Sequence, residues 1–170
     1  MHKNVLAVAL AAALVMPVLA GAQAKADFSG TWTFDEAKSD PAPGGGGGGG
    51  GARGRGGRMG GGSPTRLVIK QTAGDVTIES TLANGAQTAV YKLDGSESIN
   101  KLGMGDATSK ATWDGANLVL NSALALTTPQ GDMQITSKEV YSVTGSVLTV
   151  TTTRVTPRGE TTRKLVFNKG

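Results

Sequence analysis

From Thr65 to Phe167 apolar residues recur at every second position, and short turn signals cut the runs. Leu67 and Ile69 alternate with Arg66, Val68 and Lys70, and Val76, Ile78 and Leu82 with Thr77, Glu79 and Thr81. Leu118, Leu120, Leu124 and Leu126 share one face, as do Met133, Ile135, Tyr141 and Val143. A period of two is that of a strand with one face buried. Asn84-Gly85 is a strong hairpin signal, since both residues accept positive φ; Asp114-Gly115 and Thr144-Gly145 close further hairpins, and Asp94-Gly95 closes the strand Thr88–Leu93. No stretch holds a 3.6-residue apolar period long enough for a helix of any length. With Thr31–Phe34 added, the chain predicts an all-β fold of about nine or ten strands in an antiparallel up-and-down meander. Such a meander must close or stack to remove its edges, so a closed or partly open barrel is expected. A β-sandwich would need long crossovers, and none is visible after Thr65.

The first strand is set apart from the rest by residues 41–64, PAPGGGGGGGGARGRGGRMGGGSP. Glycine loses more conformational entropy on ordering than any other residue, so this segment reads as a disordered loop. At the amino end, Lys3 precedes an apolar run from Val5 to Leu19, followed by the small residues Ala20, Gly21, Ala22 and Ala24. That is the pattern of a cleaved secretory signal peptide over 1–24. The lipidated cysteine of a lipoprotein is replaced by Ala22, so a soluble periplasmic or secreted protein is expected. About 146 residues then remain, or about 122 without the insert, enough for a single domain over 25–170.

The chain has 17 Lys and Arg against 13 Asp and Glu. Lys3 leaves with the signal peptide, and Arg53, Arg55 and Arg58 lie in the insert, which leaves 13 of each sign elsewhere. The basic balance therefore belongs to the insert, whose three arginines suit an envelope protein or an anionic polymer better than nucleic acid. There is no cysteine, and the only histidine is His2. The mature chain thus lacks the commonest general base, thiol nucleophiles and thiolate metal sites. The nearest carboxylate pairs, Asp35 with Glu36 and Asp94 with Glu97, sit at strand ends or turns, where Asp is a turn former. No Asp-x-Asp-x-Asp-Gly calcium loop is present, and no metal or cofactor is expected. An outer-membrane barrel is excluded by outward rows of Lys, Glu, Gln and Thr and by an aromatic content of only 4%.

The string Asp27-Phe28-Ser29-Gly30-Thr31-Trp32-Thr33-Phe34-Asp35 resembles the opening strand of lipocalin-like (calycin-type) proteins, which begin with Gly-x-Trp. Together with Ala37-Lys38-Ser39, Tyr91-Lys92-Leu93-Asp94-Gly95 and Ala111-Thr112-Trp113-Asp114-Gly115, it is similar to exported bacterial members of that build. The resemblance implies a barrel with Gly30 and Trp32 at its closed end. It also implies an arginine of the last strand over the Trp32 ring, Arg163 or in its place Arg154, in a stack worth about 0.5–2 kcal/mol. The insert would fall in the long loop at the barrel mouth.

The ligand-binding candidates are the inward positions Ile78, Tyr91, Leu120, Met133, Ile135, Glu139 and Tyr141. They either line a cavity or fill it, because small barrels are often packed solid. Glu139 needs a partner or a raised pKa if it points inward. A rim salt bridge to Arg154 and a polar anchor for a ligand head group are the two readings. The expected function is an exported, non-enzymatic barrel that binds a small apolar or amphipathic molecule. The alternative is a structural or interaction module of the cell envelope with a side-chain-filled barrel.

Overall fold

A computed structural model describes residues 24–42, 62–102, 105–128 and 131–170. The expected signal peptide and the centre of the expected disordered loop, residues 1–23 and 43–61, lie outside the described residues. Ten strands follow in chain order: β1 Gly30–Phe34, β2 Arg66–Gln71, β3 Asp75–Leu82, β4 Gly85–Lys92, β5 Ser98–Lys101, β6 Asp106–Asp114, β7 Asn117–Thr128, β8 Gly131–Thr144, β9 Val147–Thr156 and β10 Gly159–Lys169. Among the described residues the only helical element is a single 3-10 turn, Glu36–Lys38. Every pairing is antiparallel, and the order across the sheet is β4-β3-β2-β1-β10-β9-β8-β7-β6-β5. The meander thus curls into a nearly closed barrel in which the first strand pairs with the last, and the ladder breaks between β4 and β5.

That break is bridged by side chains. Asn100 of β5 is buried, and its amide meets the backbone of Val90 on β4. Val90 N donates to Asn100 Oδ1 at 2.8 Å, and Asn100 Nδ2 donates to Val90 O at 3.0 Å. Lys92 N donates to Ser98 Oγ at 3.2 Å. A carboxamide carries the same donor and acceptor as a peptide, so one side chain replaces a pair of ladder bonds. Val90 and Ile99, both exposed, point outward at this seam.

The core occupies one end of the barrel. Trp32, Phe28, Phe167, Val76 and Leu148 are fully buried there. Phe28, which precedes β1, enters the barrel end and stacks on Trp113 with centroids 6.2 Å apart, and it meets Tyr141 edge-on at 6.3 Å. Trp32 Nε1 donates to Phe28 O at 2.9 Å, which fixes this plug. The cation over the Trp32 ring is Lys169, with Nζ 5.3 Å from the centroid. This corrects the expectation of an arginine there: Lys169 is the register partner of Trp32, whereas Arg163 lies six residues earlier on β10. Gly30 has φ +139°, and a Cβ added to it would meet Lys169 Cε at 3.1 Å. Gly30→Ala is expected to cost about 1–3 kcal/mol through backbone strain and displacement of that lysine, measured by urea denaturation.

Arg163 holds the base of the loop instead. Its Nε and Nη2 donate to Asp40 O at 3.1 and 2.9 Å, and Nη2 donates to Ser63 Oγ at 2.7 Å. The chain leaving β1 is laced to β10 as well: Asp35 N donates to Val166 O at 2.8 Å, and Lys164 N to Asp40 Oδ2 at 2.7 Å. Arg163 shares the inward face of Leu165 and Phe167, on the side of them nearer the β9–β10 turn. The loop therefore leaves at the end opposite the aromatic plug.

Candidate functional site

Interior positions change character along the barrel axis. Below lies the plug of Phe28 and Trp32, and the buried Leu118 and Leu120 stand beside Tyr141 and Glu139 as their register partners. At mid-height the inward alternation delivers Ser109 from β6, Ser122 from β7, Glu139 and Tyr141 from β8, and Tyr91 from β4. Above them the inward face of the β7–β8 hairpin is apolar again: Leu124 pairs with Ile135, and Leu126 with Met133. The interior is an apolar floor, a polar belt and an apolar rim.

A cavity of about 90 Å³ lies in the belt, lined by Ile78, Ser80, Gln87, Ala89, Tyr91, Leu102, Ser122, Glu139 and Tyr141. Ala89 stands opposite Ile78 in the β3–β4 ladder, and its small side chain leaves the room. Tyr141 Oη donates to Glu139 Oε2 at 2.9 Å. Ser122 and Ser109 hydroxyls are 2.8 Å apart, and Ser122 lines the cavity with Tyr91.

Glu139 is the only charged side chain in the lining. The expected rim salt bridge is not formed: among the described residues the ion pairs within 4.0 Å are Lys38–Asp35, Lys101–Asp106 and Lys110–Glu97. Arg154 is exposed on β9 and acts on Glu139 only through its field. Burial pushes the Glu139 carboxyl above the usual range; the Tyr141 hydroxyl and Arg154 pull the other way without cancelling it. Burial likewise raises the Tyr91 and Tyr141 phenols, and the Glu139 charge adds to both shifts.

The native carboxyl thus holds its proton more tightly than in the unfolded chain, and ionising it costs stability. The penalty is full above the raised native pKa and gone below the ordinary glutamate value of 4.5. Glu139→Gln is expected to be more stable than the wild type at pH 7.5, with the gap closing as the pH falls. Denaturation midpoints of both proteins across that range check it. Asp27, Asp35 and Asp94, each held low by hydrogen bonds from Ser29, from Lys38 and Asn168, and from Ser96, add the opposite trend equally to both proteins.

Of the seven interior candidates, Ile78, Tyr91, Glu139 and Tyr141 line the cavity. Leu120 is packed in the core beside Glu139, and Met133 and Ile135 lie half-buried on the rim side. Sequence reasoning missed Ser80, Gln87, Ala89, Leu102 and Ser122. For Ser122 a signal existed, since it interrupts the leucine alternation Leu118-Leu120-Ser122-Leu124. A larger, shallower hollow of about 420 Å³ lies on the outer face of β6–β9, among Thr108, Lys110, Asn121, Thr136 and Lys138. Its charged groups are Glu97, Lys110 and Lys138, with Lys110 Nζ 3.4 Å from Glu97 Oε1. Among the described residues no group of three His, Cys, Asp or Glu could hold a metal, and no helix is long and apolar enough to cross a membrane.

No protein-family model matches the chain, and no curated protein matches it. Among solved structures it is similar to the zebrafish ileal bile acid-binding protein complexed with cholic acid, at 18% identity over 62% of this chain and 72% of that one, TM-score 0.47. It is also similar to the REP1-NXSQ fatty acid transporter, at 11% identity over 62% and 69%, TM-score 0.47. A third similarity is to the fatty-acid-binding protein of Manduca sexta, at 19% identity over 61% and 71%, TM-score 0.42. Likenesses of this depth assign neither a family nor a ligand.

Proposed function

We propose that this chain is an exported, non-enzymatic barrel protein of the periplasm or the extracellular space that receives a small amphipathic molecule at its polar belt. The observation that carries the reading is the belt itself. A carboxyl, two phenols, the Ser80 and Ser122 hydroxyls and the Gln87 amide surround unfilled space inside the barrel. Inward polar groups cost stability when their hydrogen bonds are incomplete, and a few convergent polar groups in an apolar pocket are what fixes a ligand's orientation. Export rests on the Lys3, Val5–Leu19 and Ala22/Ala24 pattern, which also makes residues 25–170 the mature domain. A binding rather than a chemical role is supported by a mature sequence without His or Cys, in which Glu139 faces no second carboxylate.

The test is native mass spectrometry of the mature protein purified from its own host without detergent. A discrete added mass lost on denaturation is the expected result. A bare mass overturns the reading in favour of an envelope interaction module, with Arg53, Arg55 and Arg58 as its contact to a partner protein or anionic polymer. The small volume, about 90 Å³, favours that second reading, since pockets for small-molecule ligands run to about 300–1,000 Å³.

A further inference from the structure

Resting on the binding reading above, we infer that the head group received at the belt is an alkylammonium, with its tail directed to the apolar rim. Three observations converge. First, the cavity lining holds one charged side chain, the carboxyl of Glu139, and no cation. A carboxylate ligand would face it without a counter-ion, since Arg154 is exposed and beyond ion-pair distance.

Second, one Glu139 oxygen has no protein donor among the described residues and stays open to solvent and to a ligand. Oε2 accepts from the Tyr141 hydroxyl at 2.9 Å, and Oε1 is the open one. An ammonium brings up to three donors and a full charge, and Tyr91, Tyr141 and Ser122 offer further oxygens around the same space. The two phenol rings also present faces that favour a cation. Third, the order of layers sets the direction. The floor is closed by buried Phe28 and Trp32, whereas the inward face toward the mouth continues as Leu124, Leu126, Met133 and Ile135. A cavity of about 90 Å³ takes a head group and the first carbons only, so the remaining tail lies along that rim.

Ammonium binding draws the Glu139 proton off, because an adjacent cation favours the charged carboxylate. Affinity for an amine should therefore fall as the pH drops through the raised pKa of the free carboxyl. The groups facing Glu139 do not mask this trend. Burial raises the phenols of Tyr91 from β4 and Tyr141 from β8, the exposed Arg154 of β9 acts on Glu139 only through its field, and Ile78, Ser80, Gln87 and Ser122 from β3, β4 and β7 carry no titratable group.

The experiment is isothermal titration of the mature wild-type protein at pH 7.5 with dodecylamine, dodecanol and dodecanoate, each below its micellar concentration. The amine is expected to bind at least about tenfold more tightly than the carboxylate, a factor within the worth of one charge-assisted hydrogen bond. Glu139→Gln should remove that preference, lowering amine affinity at least about tenfold more than it changes dodecanol affinity. Gln keeps an acceptor for Tyr141, and the comparison on the wild type stands whether or not the variant folds. Dodecanoate binding equal to or tighter than the amine overturns the inference and leaves the binding reading intact. Binding of none of the three overturns both.

Discussion

Trp32→Ala is expected to destabilise the protein by about 3–5 kcal/mol, the range for deleting a buried indole. A domain of this size has about 5–15 kcal/mol in hand, so the variant sits at the edge of folding. The side chain is wholly buried and touches three structural devices. Its loss opens a void at the closed end of the barrel. It strands the Phe28 carbonyl, which now accepts from Trp32 Nε1 at 2.9 Å, and so loosens the plug that stacks on Trp113 and Tyr141. It also leaves Lys169 without the ring beneath it. Urea denaturation followed by Trp113 fluorescence measures the loss. Trp32→Phe retains most of the apolar area and should recover more than half of it. A cost under about 1 kcal/mol for the alanine variant would mean that the barrel end tolerates a cavity far better than close-packed cores do.

Asn100→Ala should cost about 1–3 kcal/mol, because it removes both partners of Val90 at once and leaves a partly buried N–H and C=O unpaired. The effect should be local as well as global. Exchange of the Val90 amide is expected to accelerate more than that of Ile78, which sits within the unbroken β2–β3–β4 ladder. Asn100→Asp separates the two contacts: it keeps an acceptor for Val90 N–H but sets a second acceptor against Val90 O, and should fall between wild type and alanine. If Asn100→Ala leaves both stability and Val90 exchange unchanged, the seam is held by the neighbouring packing and not by the amide.

The strand rhythm was legible because alternation and turn chemistry are local properties. Asn84-Gly85, Asp114-Gly115 and Thr144-Gly145 each close a hairpin between paired neighbours, whereas Asp94-Gly95 joins β4 to β5, which do not pair. The barrel followed from the absence of crossovers. Which two strands would fail to pair was not legible. The break falls between β4 and β5 because β5 spans only Ser98–Lys101 and its Asn100 side chain bonds Val90 directly, features that depend on spatial register. The position of Glu139 on the inward face was readable from Ile135 and Tyr141. Its partner was not, since Tyr141 lies two residues on along the same strand while the obvious counter-charge, Arg154, faces solvent. Lys169 displaced Arg163 at Trp32 for the same reason: register decides which cation reaches a ring, and residue type alone does not.

The placement of β1 between β2 and β10 orders events in time. Strands β2 to β10 are joined by short turns and can pair with neighbours as they emerge during synthesis. β1 can acquire its second partner only when β10 exists, and contacts of such long sequence separation form slowly. Phe28 and Trp32 cannot find Phe167 and Lys169 until then. The meander of β2 to β9 therefore stays without its β1–β10 seam until β10 has been made.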